Sequence, residues 1–194
     1  MVHESLPIGT IQDAVLEFLR GRDDAVLFGA QAVNAYAGIV RASEDVDIMS
    51  NRARELAEEL RRYLGTRFHI AVRMREIREG IGFRLYQLRK PKNRHLVDVR
   101  PVEHLPPARR RKGILVIAPE ELIAGKVRAF LQRRGKPKSG TDWRDLATLL
   151  LTFPELKKAS GPVADRLHDD ASLAAWKELV ATEIQPEDDE DEFA

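Results

Sequence analysis

A short apolar run that stops at a glycine, immediately before a helix-forming segment, constrains this fold most. Residues 25–28, AVLF, suit a buried strand, and Gly29 ends the run just ahead of the alanine-rich segment 30–37. A strand that turns into a helix at a glycine gathers backbone N–H groups and the positive end of the helix dipole at one point. Such a turn is suited to receive a phosphate group.

The next strand-like segment, DVDIM at residues 45–49, alternates carboxylates with aliphatic side chains. Asp45 and Asp47 lie two apart and leave the same face of a strand. At an effective dielectric near 20 they repel by roughly 2–3 kcal/mol. Mg²⁺ (or Mn²⁺) would convert that repulsion into ligation, because these ions favour oxygen ligands. Asp98 repeats the setting in LVDVRPV, and three carboxylates could hold two ions for an in-line phosphoryl displacement.

The alternative is that these acids share no role. Asp45 and Asp47 would then lie on a solvated edge strand, and Asp98 would pair with Arg84 or Arg100. The order strand, glycine turn, helix, DxD strand and later single-Asp strand is much rarer than an isolated DxD pair, and it favours the metal site.

Hydrophobic periodicity along the whole chain predicts an α/β fold in which a small mixed sheet is flanked by helices. Helices are expected over 10–20, capped by Thr10, and over 30–37, 52–64, 119–134, 141–152, capped by Thr141, and 172–183. Strands are expected over 25–28, 45–49, 68–74, 82–88, 95–102 and 114–118, with a loop over 106–113. We expect a catalytic domain over 1–117, a helical domain over 118–183 that completes the cleft, and an acidic flexible tail over 184–194.

Charge is distributed unevenly along the chain. The chain carries 32 Lys and Arg residues and 31 acids, but seven of these acids lie between residues 183 and 194, which leaves +8 on residues 1–182. A basic body suits a polyphosphate or nucleic-acid partner. The basic runs are either solvated surface or contacts to an RNA backbone: Arg109, Arg110, Arg111 and Lys112, and then Arg128, Arg133, Arg134, Lys136 and Lys138.

Several classes of protein are excluded or disfavoured. The chain has no cysteine, which excludes disulfides, thiolate catalysis and zinc–cysteine sites, and its five histidines lack the HExxH spacing of a zinc site. The start shows no secretory signal, and the longest aliphatic run, residues 146–153, falls short of the ~20 residues of a membrane span. We expect a cytoplasmic protein with no membrane contact.

The run VLFGAQAVNAYAGIVRASEDVDIM, residues 26–49, resembles the signature of the polymerase-beta-type nucleotidyltransferase superfamily. Its R-x-S-E-D-x-D form especially resembles the AbiEii/AbiGii-type abortive-infection toxins, and the resemblance covers most of residues 25–150. It implies a nucleotidyltransferase fold in which Gly29 forms the phosphate turn and Asp45, Asp47 and Asp98 bind metal. Ala30 departs from the pattern, since it lacks the hydroxyl of a serine at the second turn position. With Gly29 and Ala30, the motif residues Arg41 and Ser43 are expected to contact the nucleotide.

The helical half carries three further candidates. The segment ELIAGKVRAFLQRR, residues 121–134, is similar to the helix in which these toxins have a lysine. This resemblance implies that Lys126 binds the triphosphate. The alternative is that the Lys126 side chain only extends to water. TDWRDLATLL, residues 141–150, resembles the last family motif, in which an acid acts as a base or orients the lysine. Asp145 is the first choice and Asp142 the second, although a favourable position near a helix N-terminus also explains Asp142.

The resemblance implies a Mg²⁺-dependent nucleotidyltransferase that transfers an NMP from an NTP to an acceptor and releases pyrophosphate. Plausible acceptors are tRNA or a protein hydroxyl, and a toxin of this type implies a cognate antitoxin. One alternative is an inactive protein of the same fold that binds nucleotide or RNA as a regulatory partner. A second is adenylylation of an aminoglycoside-type small molecule, for which a basic body is less suited.

Overall fold

A computed structural model describes residues 6–38 and 42–186. The chain divides after Ala118 into a first unit that contains the whole sheet and a second, helical unit. The first unit comprises α1 (Ile8–Leu19), β1 (Ala25–Phe28), α2 (Gly29–Ala37), β2 (Val46–Ser50), α3 (Ala53–Phe68), β3 (Val72–Ile77), α4 (Arg78–Ile81), β4 (Gly82–Gln87), β5 (Arg94–Pro101), β6 (Ala108–Arg111) and β7 (Ile114–Ile117).

The seven strands form one mixed sheet in the order β3-β4-β5-β2-β1-β7-β6. The pairs β2–β5 and β1–β7 are parallel, and the other neighbouring pairs are antiparallel. The strand β2 holds the central position, which agrees with the complete burial of Val46 and Ile48. The predicted α/β architecture, a mixed sheet with flanking helices, is confirmed.

The two faces of the sheet differ in what covers them. One face, here called the core face, carries Leu27, Ile48 and Val99 in register, and all three are buried. The helix α3 packs on this face, where the Arg54 guanidinium lies 4.8 Å from the centre of the Phe83 ring. The opposite face carries Asp47 and Asp98 and is called the site face; these two carboxylates are only partly buried.

The second unit is built from helices alone in its described part. Its core contains fully buried Leu146, Leu149 and Trp176, and the Asp169 carboxylate caps the last helix by accepting a hydrogen bond from the Ser172 backbone N–H. The elements are α5 (Pro119–Gln132), α6 (Lys138–Thr152), the 3₁₀ helices Pro154–Leu156 and Ala164–Arg166, and α7 (Asp170–Ala181).

Among the described residues, no helix is long and apolar enough to cross a membrane.

The predicted loop over 106–113 is wrong in its central part. Residues Ala108–Arg111 form β6, which pairs antiparallel with β7 at the edge of the sheet. An edge strand exposes one side to water, so it accommodates consecutive arginines, and charged side chains there discourage pairing with another chain.

Three predicted boundaries also differ. The predicted caps Thr10 and Thr141 lie inside their helices, because α1 begins after Pro7 and α6 begins after Pro137. The fixed φ of proline favours helix entry, which moves both starts toward the N-terminus. The helix α3 continues through Phe68, so the strand expected from residue 68 begins only at Val72.

Candidate active site

The turn between β1 and α2 is built around one glycine. Phe28, the last residue of β1, lies opposite Asp47 of β2, and Gly29 follows with a φ of +70°. A Cβ atom at Gly29 would stand 2.1 Å from Oδ2 of Asp47. A side chain at position 29 would therefore displace the carboxylate, and only glycine lets Asp47 approach the start of α2.

The first turn of α2 offers backbone donors. Ala30 is 8% exposed, and among the described residues no side chain caps this helix. The first N–H groups of a helix have no acceptor within the helix, and the positive end of the helix dipole lies beside them. Phosphate binding at this turn would therefore depend on the backbone, as the alanine at position 30 implies.

The parallel pairing of β2 with β5 brings two carboxylates together. Asp47 lies opposite Asp98 in register, so both side chains leave the site face on neighbouring strands about 4.8 Å apart. Asp45 differs from the expectation that it lies on the strand, because it occupies a bend immediately before β2. The Ser43 hydroxyl holds this bend by donating a 2.8 Å hydrogen bond to the Asp45 carbonyl.

The imidazole of His95 connects Asp45 to Asp98. Its Nδ1 lies 3.1 Å from Oδ2 of Asp45, and its Nε2 lies 2.8 Å from Oδ1 of Asp98. Each ring nitrogen is thus within hydrogen-bonding distance of a different carboxylate. The ring fills the space between these two acids.

Arg84 of β4 holds Asp98 from the other side. Its Nε and Nη2 donate two hydrogen bonds, of 2.6 and 2.7 Å, to Oδ1 and Oδ2 of the carboxylate. Burial raises the pKa of Asp98, but the hydrogen bonds from His95 and Arg84 outweigh it and lower this pKa to about 2. Asp98 is therefore a fixed anion whose charge is largely balanced by Arg84.

The alternative interpretation of the three acids is right in one respect. Asp98 does pair with Arg84, but β2 is the central strand of the sheet, so Asp47 does not lie on an edge strand. The structure thus brings Gly29, Asp47 and Asp98 together on neighbouring strands, with Asp45 joined to them through His95. Their roles as phosphate turn and metal ligands stay predictions.

His95 belongs to this cluster, although the sequence pattern does not predict it. Strict alternation along β5 would place His95 and Asp98 on opposite faces, but a bulge shifts the register there: Leu85 pairs with Val97, while Tyr86 pairs with His95. Leu96 and Val97 are consequently both buried, and the residues on either side of them share the site face. No local signal in the sequence marks this bulge.

The donor set of these residues fits a divalent cation. One ligand atom from each of Asp45, His95 and Asp98 lies within 4.8 Å of the others. Asp47 is not one of this group, but it lies opposite Asp98 on the same face. Carboxylate oxygens suit Mg²⁺ and Mn²⁺, and the ring of His95 spans a gap that a cation shared by Asp45 and Asp98 would use.

Of the remaining candidates in the first unit, Ser43 is placed by its backbone as well as its hydroxyl. Its carbonyl accepts a 2.7 Å hydrogen bond from the buried Gln12 side chain. This contact fixes the segment that leads into Asp45. Arg41 lies outside the described residues.

Within the second unit, Lys126 and Asp145 form an ion pair. The Lys126 Nζ lies 2.5 Å from Oδ2 of Asp145, and the two side chains are 13% and 1% exposed. An ammonium group that only extended to water would not be held in this way, so the contact favours the expectation that Asp145 orients the lysine. The binding role of Lys126 stays a prediction.

Asp142 forms a separate ion pair with Arg133 at 2.8 Å. Asp142 is buried, and its position in the second turn of α6 leaves little of the dipole interaction that a first-turn acid would have. The carboxylate is explained by its pairing with Arg133.

A glycine turn from a strand into a helix, facing carboxylates on the adjacent strands of a mixed sheet, is the arrangement that the sequence resemblance implies. Three solved structures share the fold. The Megavirus polyadenylate synthase has a TM-score of 0.64 and 15% identity over 79% of this chain, which spans about a third (33%) of that protein. JHP933 from Helicobacter pylori has a TM-score of 0.61 and 14% identity over 89% of both chains. An antigenic nucleotidyltransferase-like protein from Paracoccidioides brasiliensis has a TM-score of 0.53 and 18% identity, over 89% of this chain and 85% of that one.

The family model described as "Nucleotidyl transferase AbiEii toxin, Type IV TA system" matches residues 14–192, and the chain therefore belongs to this family. No curated protein matches the sequence. The resemblance predicted from residues 26–49 is confirmed, and the protein is a nucleotidyltransferase of a toxin–antitoxin family.

Proposed function

We propose that this nucleotidyltransferase transfers an NMP from an NTP to an acceptor hydroxyl, with Mg²⁺ or Mn²⁺ bound by Asp45, Asp47 and Asp98. The observation that carries the proposal is the contact between Asp47 and Gly29. In this contact the Asp47 carboxylate, a proposed metal ligand, lies against the turn whose N–H groups would hold the phosphates. A nucleotide triphosphate with its metal ion fits such a juxtaposition of negative ligands and positive donors.

When bound, the divalent cation would neutralise charge that develops on the phosphate oxygens. The residues of the chain supply its ligands and their orientation. The hydrogen bonds of Arg84 to both oxygens of Asp98 hold that carboxylate in one orientation and limit the total negative charge of the cluster. The acids can therefore lie close together with less mutual repulsion.

The triphosphate would be held by the backbone N–H groups at Gly29 and Ala30, with Arg41 and Ser43 as neighbouring contacts. Lys126 would add a positive charge to the triphosphate, and Asp145 would fix the position of that charge through their ion pair. Asp142 is the second acid of the helical unit in this proposal, acting through its ion pair with Arg133.

The reaction we propose is attack by an acceptor oxygen on the α-phosphorus. The new O–P bond forms as the bond to the β-phosphate oxygen breaks, and pyrophosphate leaves with that electron pair. The attacking hydroxyl, from tRNA or a protein, releases its proton to water as the new bond forms. Membership of a toxin–antitoxin family supports a cognate antitoxin as a further partner.

The test is transfer of radioactivity from each α-labelled NTP to total RNA or total protein. We expect one nucleotide to label one acceptor class, and Asp47→Asn to abolish the labelling. Asp13→Asn is the matched control, because Asp13 is an exposed carboxylate on α1. Labelling that survives Asp47→Asn, or no labelling with any nucleotide and acceptor, would refute the proposal.

A further inference from the structure

Two rows of side chains cross the site face of the sheet from its centre to the β3 edge. The first row starts at Asp47 on β2 and continues through Asp98 on β5 and Arg84 on β4 to Arg75 on β3, each residue lying opposite the next. In the second row, His95, Tyr86 and Arg73 lie opposite one another on β5, β4 and β3. Residues opposite one another in register share a face, so these rows lie side by side on the site face.

The charge along the first row changes sign. The two strands at the centre of the sheet carry aspartates, and the two strands toward the edge carry arginines. Arg84 is engaged by Asp98, but Arg73 and Arg75 are exposed, and no carboxylate among the described side chains pairs with either. The site face therefore ends at two exposed arginines on β3.

The surrounding segment strengthens this field. Residues 72–94 contain eight Lys and Arg residues and two acids. One of these acids, Glu76, is paired with Arg54 of α3, whose guanidinium lies on the core face. The positive charge of β3 and β4 is thus directed to the same face as the proposed reaction site.

The size of this surface exceeds what a triphosphate needs. The strand β3 lies two strands beyond β5, which is about 10 Å from Asp98, and Arg73 and Arg75 are about 7 Å apart along their strand. A ligand that reaches both arginines while its reactive hydroxyl lies at the aspartates must carry several negative charges along an extended chain.

The second row adds an aromatic ring. Tyr86 lies between His95 and Arg73, and its ring centre is 5.7 Å from that of His95. Exposed cations beside a flat aromatic side chain are how proteins hold single-stranded nucleic acids, by contacts to phosphates and stacking on bases. A protein acceptor would call for an apolar anchor instead, whereas the side chains that β3 presents on this face are the exposed cations Arg73 and Arg75.

From these rows we infer that β3 and β4 bind the acceptor, and that the acceptor is a single-stranded nucleic acid whose phosphates contact Arg73 and Arg75 and whose bases stack on Tyr86. This inference rests on the proposed function, because it supplies the acceptor for that reaction. The proposed reaction then takes place at the centre of the site face, and the acceptor nucleic acid extends from there toward the edge formed by β3.

The experiment measures binding of a fluorescein-labelled single strand of about 16 nucleotides by fluorescence anisotropy, with RNA and DNA of the same sequence as separate arms. The proteins compared are the wild type, Arg73→Glu/Arg75→Glu and Arg109→Glu/Arg110→Glu. The last variant makes the same charge change on β6, the opposite edge of the sheet. Binding is measured at about 50 and about 200 mM KCl.

We expect Arg73→Glu/Arg75→Glu to weaken binding at least tenfold and to reduce the salt slope by roughly 1.4, the value for two phosphate contacts to a single strand. The β6 variant should change affinity less than threefold. Tyr86→Leu should weaken binding without changing the salt slope, while Tyr86→Phe retains affinity. Equal losses in both arginine variants, or no wild-type binding to either strand, would overturn the inference.

Binding of a fluorescent NTP with Mn²⁺, measured on the same proteins, separates this inference from the proposed function. A wild type that binds the NTP but neither strand refutes the acceptor surface and leaves the proposed reaction standing. Loss of NTP binding in Arg73→Glu/Arg75→Glu would assign these arginines to the triphosphate and would also overturn the inference. Unchanged circular dichroism shows that each variant is folded.

Discussion

Asp47 rests against the α-carbon of Gly29 so closely that the glycine is the only residue compatible with the carboxylate in its present position. A Cβ atom there would stand 2.1 Å from Oδ2 of Asp47 and 3.0 Å from its Cβ. The glycine thus contributes to the candidate site in two ways: its positive φ turns the chain into α2, and its missing side chain leaves room for the Asp47 carboxylate.

Gly29→Ala is expected to abolish nucleotidyl transfer and to weaken Mn²⁺ binding, because the added methyl group displaces the Asp47 carboxylate. It should also destabilise the fold by about 1–2 kcal/mol through the strained backbone. Mn²⁺ binding followed by electron paramagnetic resonance and thermal unfolding measure the two effects separately.

Gly38→Ala is the control for this experiment. Gly38 ends the same helix with a φ of +71°, but nothing lies within 4 Å of a Cβ built there. The control should show the backbone cost and normal Mn²⁺ binding. Equal loss of Mn²⁺ affinity in both variants would mean that backbone strain, rather than contact with Asp47, explains the effect.

Stability should depend on pH through Asp98. The pKa of Asp98 is about 2 in the folded protein, below the ordinary value of 3.8, because His95 and Arg84 outweigh the effect of burial. The group therefore stabilises the fold by about 2 kcal/mol above pH ~4, and this contribution is lost as the pH falls through pH ~2.

Asp98→Asn removes that contribution, so urea unfolding should show a deficit at pH 7 that shrinks progressively as the pH falls from about 4 to about 2. Asp13→Asn, on the exposed side of α1, should show no such convergence. A deficit that is constant over this pH range would contradict the stabilising role of the Asp98 charge.

His95→Ala should raise the affinity for Mn²⁺ severalfold. The two imidazole nitrogens lie 3.1 and 2.8 Å from the carboxylates of Asp45 and Asp98, so a cation that binds these oxygens competes with the ring. His104→Ala is the control, because that side chain is 89% exposed. Weaker Mn²⁺ binding in His95→Ala, by titration calorimetry, would instead make His95 a metal ligand.

Variants of the Lys126–Asp145 ion pair should change the stability of the protein and its affinity for NTP independently. Asp145→Asn leaves a partly buried ammonium without its counter-charge and should destabilise the protein by about 3 kcal/mol. The double variant Lys126→Met/Asp145→Leu should recover most of this stability, because it removes both charges. It should still bind NTP at least tenfold more weakly than the wild type, because the lysine is absent.

Arg128→Met removes a neighbouring cation of α5, whose guanidinium donates to the Arg166 carbonyl, and serves as the control for charge loss on that helix. It should bind NTP normally in an equilibrium assay. If the double variant keeps wild-type NTP affinity, Lys126 is structural.

The elements of this site that depend on local pattern could be predicted from the sequence. AVLF followed by Gly29 predicts the strand–helix turn, and the alternation in DVDIM predicts that Asp47 points away from the buried Val46 and Ile48. These features follow from the period of a strand and from the conformational freedom of glycine.

The contacts that depend on strand pairing could not be predicted in the same way. Arg84 was a possible partner of Asp98 on composition alone, but the choice between it and Arg100 is made by the register of β4 with β5. The strand β6 was missed because ARRR lacks apolar alternation, although an edge position tolerates it.

The bulge in β5 has a consequence for how the sequence can vary. The interval of three residues from His95 to Asp98 combines with one extra residue in the strand to keep the ring and the acid on one side. Removing or adding one residue there would make the interval even, so the two side chains would share a face only if the strand also lost its bulge. What this stretch must preserve is therefore the match between its length and the bulge, whereas the two buried residues inside it need only be apolar and of suitable size.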